Sequence, residues 1–201
     1  HRSASSSLLC KNLREENPTY NPDDNFNFFM SFLIPESQLN IINFNRLIKH
    51  TNGLSEQELI SKIKKSYSIK NKAENIYHPI LKDEISMYLE GKWYSLIAHS
   101  KKYNSTFQSL DPSVLSENIL SPILGITDEK TDKNITFLDG TIPLLEIKSK
   151  VDSGKYKIAF ILKPIDINSL KKVADKNEIM PPKSTYVEPK LRSGLTIYKL
   201  Y

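Results

Sequence analysis

The sequence is poor in residues that would settle a class at once. One cysteine, Cys10, stands in 201 residues. It excludes an internal disulfide framework and suits a reducing cytosol. The six glycines form no phosphate-cradling run of the Walker type, and no Gly-x-Ser-x-Gly elbow is present. The histidines, His1, His50, His78 and His99, are far apart. None stands four residues from another, so no zinc signature exists. No apolar run approaches the ~20 residues of a membrane span, and no secretory h-region is present. Asn104-Ser105-Thr106 and Asn134-Ile135-Thr136 match glycosylation sequons, to which the lack of an export signal gives no weight. The expectation is a cytoplasmic protein with no metal centre.

The composition itself is ordinary for a globular chain: 39% hydrophobic and 25% charged, with enough length for a real core. The net charge of +5 is spread along the chain rather than massed in one tract. That favours an anionic ligand over DNA, and no helix carries a basic face with base-reading residues.

The pattern predicts interleaved strands and helices. Residues 3–16 carry Leu8, Leu9 and Leu13 at helical spacing, and Cys10 lies on the same face. Residues 26–34 (FNFFMSFLI) are a nearly continuous apolar run, expected as a strand buried on both faces. Residues 39–44 are expected as its neighbour. Ser55 with Glu58 forms a capping box for a helix burying Leu59 and Ile63. Residues 67–69 suit a short strand. Residues 84–89 and 93–98 alternate around Glu90-Gly91-Lys92, the clearest hairpin in the chain. Asp111-Pro112 starts a helix, which Pro122 should kink or end early. Strands are expected at 135–138 and 157–163, helices at 141–151 and 169–175, and a final strand at 195–200. The whole predicts one α+β domain over residues 1–201, with a mixed, largely antiparallel sheet and packed helices.

Three segments carry candidate chemistry. Residues 180–194 hold Pro181, Pro182 and Pro189. Each fixes φ and removes a donor, which makes a stiff loop. The loop presents Lys183, Ser184, Thr185, Lys190, Arg192 and Ser193 with a single acid, Glu188, the composition of an anion-binding surface. Asn45-Arg46 is placed at a strand end, where polar side chains line sites. His1, Arg2 and Ser3 open the first helix, whose free N–H groups attract anions. Phosphate needs cations and donors from several segments, and these three supply Arg2, Arg46, Lys183, Lys190 and Arg192. As a general base, Asp139, Asp152 and Glu188 stand level, so the catalytic residue is left unassigned. The start at His1-Arg2, without Met, is expected to be a cut within a longer protein.

A resemblance runs through the same segments. Asn43-Phe44-Asn45-Arg46, Ser86-Met87-Tyr88-Leu89 with Lys92-Trp93-Tyr94, and Asp152-Ser153-Gly154 resemble a prokaryotic family known as domain of unknown function 1015. Its most specific counterparts are Met180-Pro181-Pro182-Lys183-Ser184-Thr185 and Glu188-Pro189-Lys190-Leu191-Arg192-Ser193-Gly194. Tyr186-Val187 departs from the Trp and Phe often found there in the family. His1-Arg2-Ser3-Ala4 matches the tail of the family's Asp-Gly-His-His-Arg type motif, which implies that this chain is the C-terminal half. That motif is similar to the phosphate-binding signature of the ParB/sulfiredoxin superfamily, whose members bind nucleotides and in some cases hydrolyse or transfer phosphate. The resemblance therefore implies binding of a nucleotide, with Mg2+, or of another phosphorylated small molecule. The alternatives are a non-catalytic ParB-like protein of DNA segregation or regulation, and an oligomerisation or lid domain with the chemistry upstream. Self-association into a homo-oligomer is left open, and no membrane partner is expected.

Overall fold

The computed structural model describes the chain except residues 1, 18, 20, 29, 82, 100, 101, 191, 193, 200 and 201, and the side chains of residues 2–6 and 26. The chain divides into two compact units, residues 40–188 and residues 1–39 with 189–201. No helix among the described residues is long and apolar enough to cross a membrane.

The larger unit is built on a six-stranded sheet. Its strands are β2 (Phe44–Ile48), β3 (Tyr67–Asn71), β4 (Glu84–Leu89), β5 (Lys92–Ala98), β6 (Ile135–Asp139) and β7 (Ile158–Ile161). They are ordered β3-β5-β4-β7-β2-β6, and every pairing is antiparallel. The β4–β5 hairpin forms as its alternation predicts, Tyr88 opposite Trp93, and Glu90-Gly91 makes the turn with both residues at positive φ.

Both faces of the sheet are covered, which is why its central strands β4 and β7 are buried at every position. One face buries Ile48, Ile85, Met87, Leu96 and Phe160. Against them pack α2 (Glu56–Ile63), through Leu59 and Ile63, and α3 (Asp111–Leu115), through Val114 and Leu115. The Ser55–Glu58 capping box is formed in full. Helix α3 runs into a π-helical turn, Ser116–Leu120, that ends just before Pro122. The opposite face buries Leu47, Tyr88, Trp93, Ala159 and Ile161 against α4 (Leu144–Asp152). Helix α4 starts three residues later than expected, because Pro143 takes the cap position. Helix α5 (Ile167–Asp175) is capped by the Asp166 carboxylate, which accepts from the Ser169 amide. Its Val173 packs with Leu110 and Ile165. A two-stranded ribbon completes the unit, β1 (Asn40–Ile42) paired antiparallel with β8 (Tyr186–Glu188).

The smaller unit holds α1 (Arg2–Glu16), close to the expected span. Two expected strands are corrected here. The described residues of 26–34 form no strand: a 3-10 turn covers Asn25–Asn27, and those after it lie in no helix or ladder. Phe28, Met30 and Phe32 are exposed, and Leu33 is 88% exposed. The apolar run lacks the flanking strands that double burial requires. Residues 195–200 likewise form no strand among those described, and Leu195 and Ile197 are exposed. Consequently the 39–44 segment has a different neighbour from the one expected. It breaks at Asn43 into β1, which pairs with the proline-rich loop, and β2, which enters the main sheet between β6 and β7.

Candidate anion-binding site

Strand β2 places the site by alternation. Successive side chains point to opposite faces, so Asn45 and Arg46, adjacent in sequence, serve different sides of the sheet. The expectation that Arg46 ends a strand is corrected: it sits mid-strand, opposite Phe137 on β6 and Phe160 on β7.

Arg46 is only 1% exposed. Its Nη1 donates to the Phe44 carbonyl at 2.6 Å, and its guanidinium lies 5.3 Å from the centroid of the Phe137 ring. Nε is 3.9 Å from Oε2 of Glu129, a carboxylate buried to a similar degree. Arg46 Nε and Nη2 and Glu129 Oε2 have no hydrogen-bond partner. Burial pulls the Arg46 pKa down to about 10, against the attraction of Glu129 and Asp111. The side chain stays charged at neutral pH, but in an environment that leaves its charge under-compensated.

Glu129 and Phe137 also wall a cavity of about 400 Å3, together with Lys130, Asp132, Thr136 and Lys183. Lys183 belongs to the proline-rich loop. Its backbone is left-handed, φ 49°, a conformation that costs a non-glycine residue roughly 1 kcal/mol or more. Its ammonium stands 5.5 Å from the centroid of the Phe44 ring. Phe44 also meets Tyr186 edge-on, with centroids 6.1 Å apart. Phe44 thus touches both predicted cations: its carbonyl takes Arg46 and its ring takes Lys183. The loop is held in this place by the β1–β8 ribbon and by Ser184, a buried residue whose hydroxyl donates to the Pro181 carbonyl at 2.6 Å.

The other predicted residues are distributed as follows. Thr185 is half-buried, next to Ser184 in the loop. Asn45 faces a separate cavity on the other side of the sheet. Arg2 and Ser3 open α1, and Lys190 and Arg192 are exposed, all four in the smaller unit. His1 and Ser193 lie outside the described residues. Of the three candidate bases, Asp139 accepts from the Thr141 amide and hydroxyl. Asp152 accepts a hydrogen bond from the Tyr88 hydroxyl at 2.5 Å and pairs with Lys148. Glu188 lies in β8. None of the three lines the cavity beside Lys183. Sequence reasoning missed Glu129, Thr136 and Phe137. Glu129 is one acid in a charged loop, and only the fold reveals which acid turns inward. Among the described residues, no group of three or more His, Cys, Asp and Glu is arranged to hold a metal ion.

Fold and site together define an α+β protein, an antiparallel sheet covered on both faces, with an under-compensated buried arginine beside one cavity. A family profile described as "Protein of unknown function (DUF1015)" matches residues 1–113, and the chain belongs to that family. No curated protein matches it. Among solved structures, a mutant free serine kinase in complex with AMP is similar with a TM-score of 0.45 and 11% identity, over 76% of this chain and 55% of that one. The unmutated free serine kinase in complex with AMP gives 0.44 and 12%, with the same coverage. A conserved hypothetical protein from Pyrococcus furiosus gives 0.45 and 15%, over 76% of this chain and 57% of that one. The chain therefore spans little more than half the length of these structures.

Proposed function

We propose that this chain binds the phosphate of a nucleotide or of another phosphorylated small molecule in the cavity walled by Glu129, Phe137 and Lys183, with Arg46 buried behind Glu129 and Phe137. The observation that carries this is Arg46 itself: a fully buried guanidinium with two nitrogens lacking a hydrogen-bond partner, behind a wall of that cavity. Buried donors left unsatisfied cost about 1–3 kcal/mol each. A protein that keeps them has a use for them, and a dianionic phosphate is the partner whose geometry a guanidinium fits best. Lys183 and Lys130 supply mobile charge at the same cavity, and Thr136 a hydroxyl. The proposal rests on this chain's own residues and not on the ligands of the kinase structures.

A nucleotide brings Mg2+, which takes one or two carboxylates along with phosphate oxygens. Glu129 and Asp132, both at the cavity, fit that role. For phosphoryl transfer or hydrolysis, Arg46 and Lys183 would stabilise charge developing on the transferred group. Glu129 would be the carboxylate at hand, in place of Asp139, Asp152 and Glu188, among which the sequence alone favours none.

Thermal shift of the chain with ATP, ADP, CTP and inorganic phosphate tests the proposal. At least one of them is expected to raise Tm, and Arg46→Met and Lys183→Met should each remove the rise. No shift with any of the four ligands, or a shift unchanged in both variants, overturns it. Duplex DNA binding with a steep salt dependence would instead favour the DNA-regulatory alternative.

A further inference from the structure

We propose a second binding site on the opposite face of the sheet, for a small amphiphilic anion: a carboxylate or phosphate head group on a short apolar body. The site is a cavity of about 550 Å3, within the range of small-molecule pockets. Its polar end is formed by Asn43, Asn45, His78, Thr141 and Lys163, and its apolar side by Ile142, Leu144 and Ile161. No carboxylate lines it among the described residues. Asp139, at the adjoining turn, is engaged by Thr141.

The polar end is built, and it is incomplete. Asn45 is 2% exposed and Asn43 is also buried. Asn43 Nδ2 donates to Asn45 Oδ1 at 2.7 Å. That bond engages the Asn45 oxygen, and no hydrogen bond from the Asn45 amide nitrogen is made among the described residues, on a side chain that lines the cavity. Gly140 donates its N–H to the Asn43 carbonyl at 2.8 Å. A Cβ at Gly140 would come within 2.1 Å of Asn43 Oδ1, so glycine is what lets the turn close over the asparagine pair. Lys163, half-buried, donates to the Ile80 carbonyl at 2.8 Å, which uses one of its three donors.

The loop carrying His78 is fixed from beneath by Glu84. This carboxylate is fully buried and accepts from Tyr77 Oη at 2.8 Å and from the Ile80 and Leu81 amides at 2.7 Å each. Ser95 Oγ donates to it as well. Helix α4, nine residues long, begins at the cavity with Leu144, so its first amides add positive potential there. The Lys163 ammonium, the Asn45 amide nitrogen and a lining without acids among the described residues select an anion. The aliphatic wall selects an apolar body attached to it.

The site is separate from the Arg46 cavity, and so is its test. Isothermal titration of the whole chain would compare hexanoate, hexyl phosphate and neutral hexan-1-ol. One of the two anions is expected to bind at least about tenfold tighter than the alcohol, the scale of one charge-assisted hydrogen bond. Which anion binds identifies the head group. Lys163→Met and His78→Ala, both at accessible positions, should each weaken that anion, Lys163→Met by about tenfold. Lys183→Met should leave it unchanged. Equal binding of alcohol and anion, binding of neither anion, or insensitivity to both Lys163→Met and His78→Ala overturns the proposal. So does loss of binding in Lys183→Met.

Discussion

Replacing Arg46 together with its partner Glu129 separates a functional arginine from a structural one. Burial lowers the Arg46 pKa to about 10, a disfavour for the charged form on the order of 3 kcal/mol at 1.36 kcal/mol per unit. Against this stand one charge-assisted hydrogen bond to the Phe44 carbonyl, worth about 1.5–3 kcal/mol, and the Phe137 ring contact, worth about 1 kcal/mol. The two sides nearly cancel. Removing Arg46 alone would strand Glu129, whose Oε2 already lacks a hydrogen-bond partner, and that is costly for a buried charge. The double variant Arg46→Met/Glu129→Gln avoids this. It is expected to unfold within about 1 kcal/mol of the parent, a Tm change of about 2–4 °C for a chain of this size.

The ligand response is expected to behave differently. A phosphate ligand present at 100 times its Kd adds about 2.7 kcal/mol to the parent, a Tm rise of roughly 5–11 °C on the same scale. The double variant should show none of it. Urea unfolding and thermal scans, with and without ligand, read both quantities. A double variant destabilised by more than about 3 kcal/mol, with no ligand-dependent rise in the parent, would show that Arg46 is a structural member of the core and refute the reasoning.

Three further outcomes follow from local features. The Glu84 carboxyl is subject to burial, which raises its pKa, but hydrogen bonds from Ser95, Leu81, Ile80 and Tyr77 outweigh it, and the pKa is lowered. The stability this contributes is present above the ordinary carboxylate range and is lost as pH falls through the folded-state value. Glu84→Gln should therefore flatten the acid limb of a stability–pH curve, with amide exchange at residues 80 and 81 rising in the variant. Gly140→Ala should displace Asn43 and destabilise the chain by about 1–3 kcal/mol, with the largest NMR shifts at Asn43 and Asn45. Ser55→Ala removes the α2 cap and should cost about 1 kcal/mol, seen as a urea midpoint lowered at constant m.

The sequence exposed local chemistry well and long-range partnership poorly. The capping box and the β4–β5 hairpin are written in neighbouring residues, and both form as expected. The run at 26–34 misled because apolar content tells that a segment prefers burial, not what is available to bury it. Asn45 and Arg46 could be flagged as a pair, yet the strand period that sends them to opposite faces became useful only once β2 was known to be central. The proline-rich loop was recognised as stiff and cationic. Its pairing with Asn40–Ile42 was not legible, since a three-residue strand carries too little pattern to announce its neighbour across more than a hundred residues.

That short ribbon also has a mechanical consequence. Asn40 and Glu188, the two ends of the larger unit, are directly opposite each other. Tension applied through the flanking chain would load the β1–β8 pairs one at a time, as in unzipping, rather than all together in shear. The ribbon would open at low force and release the proline-rich loop from Phe44, while the six-stranded sheet stayed folded. A pull on the chain's ends would thus reach Lys183 before it reached the core.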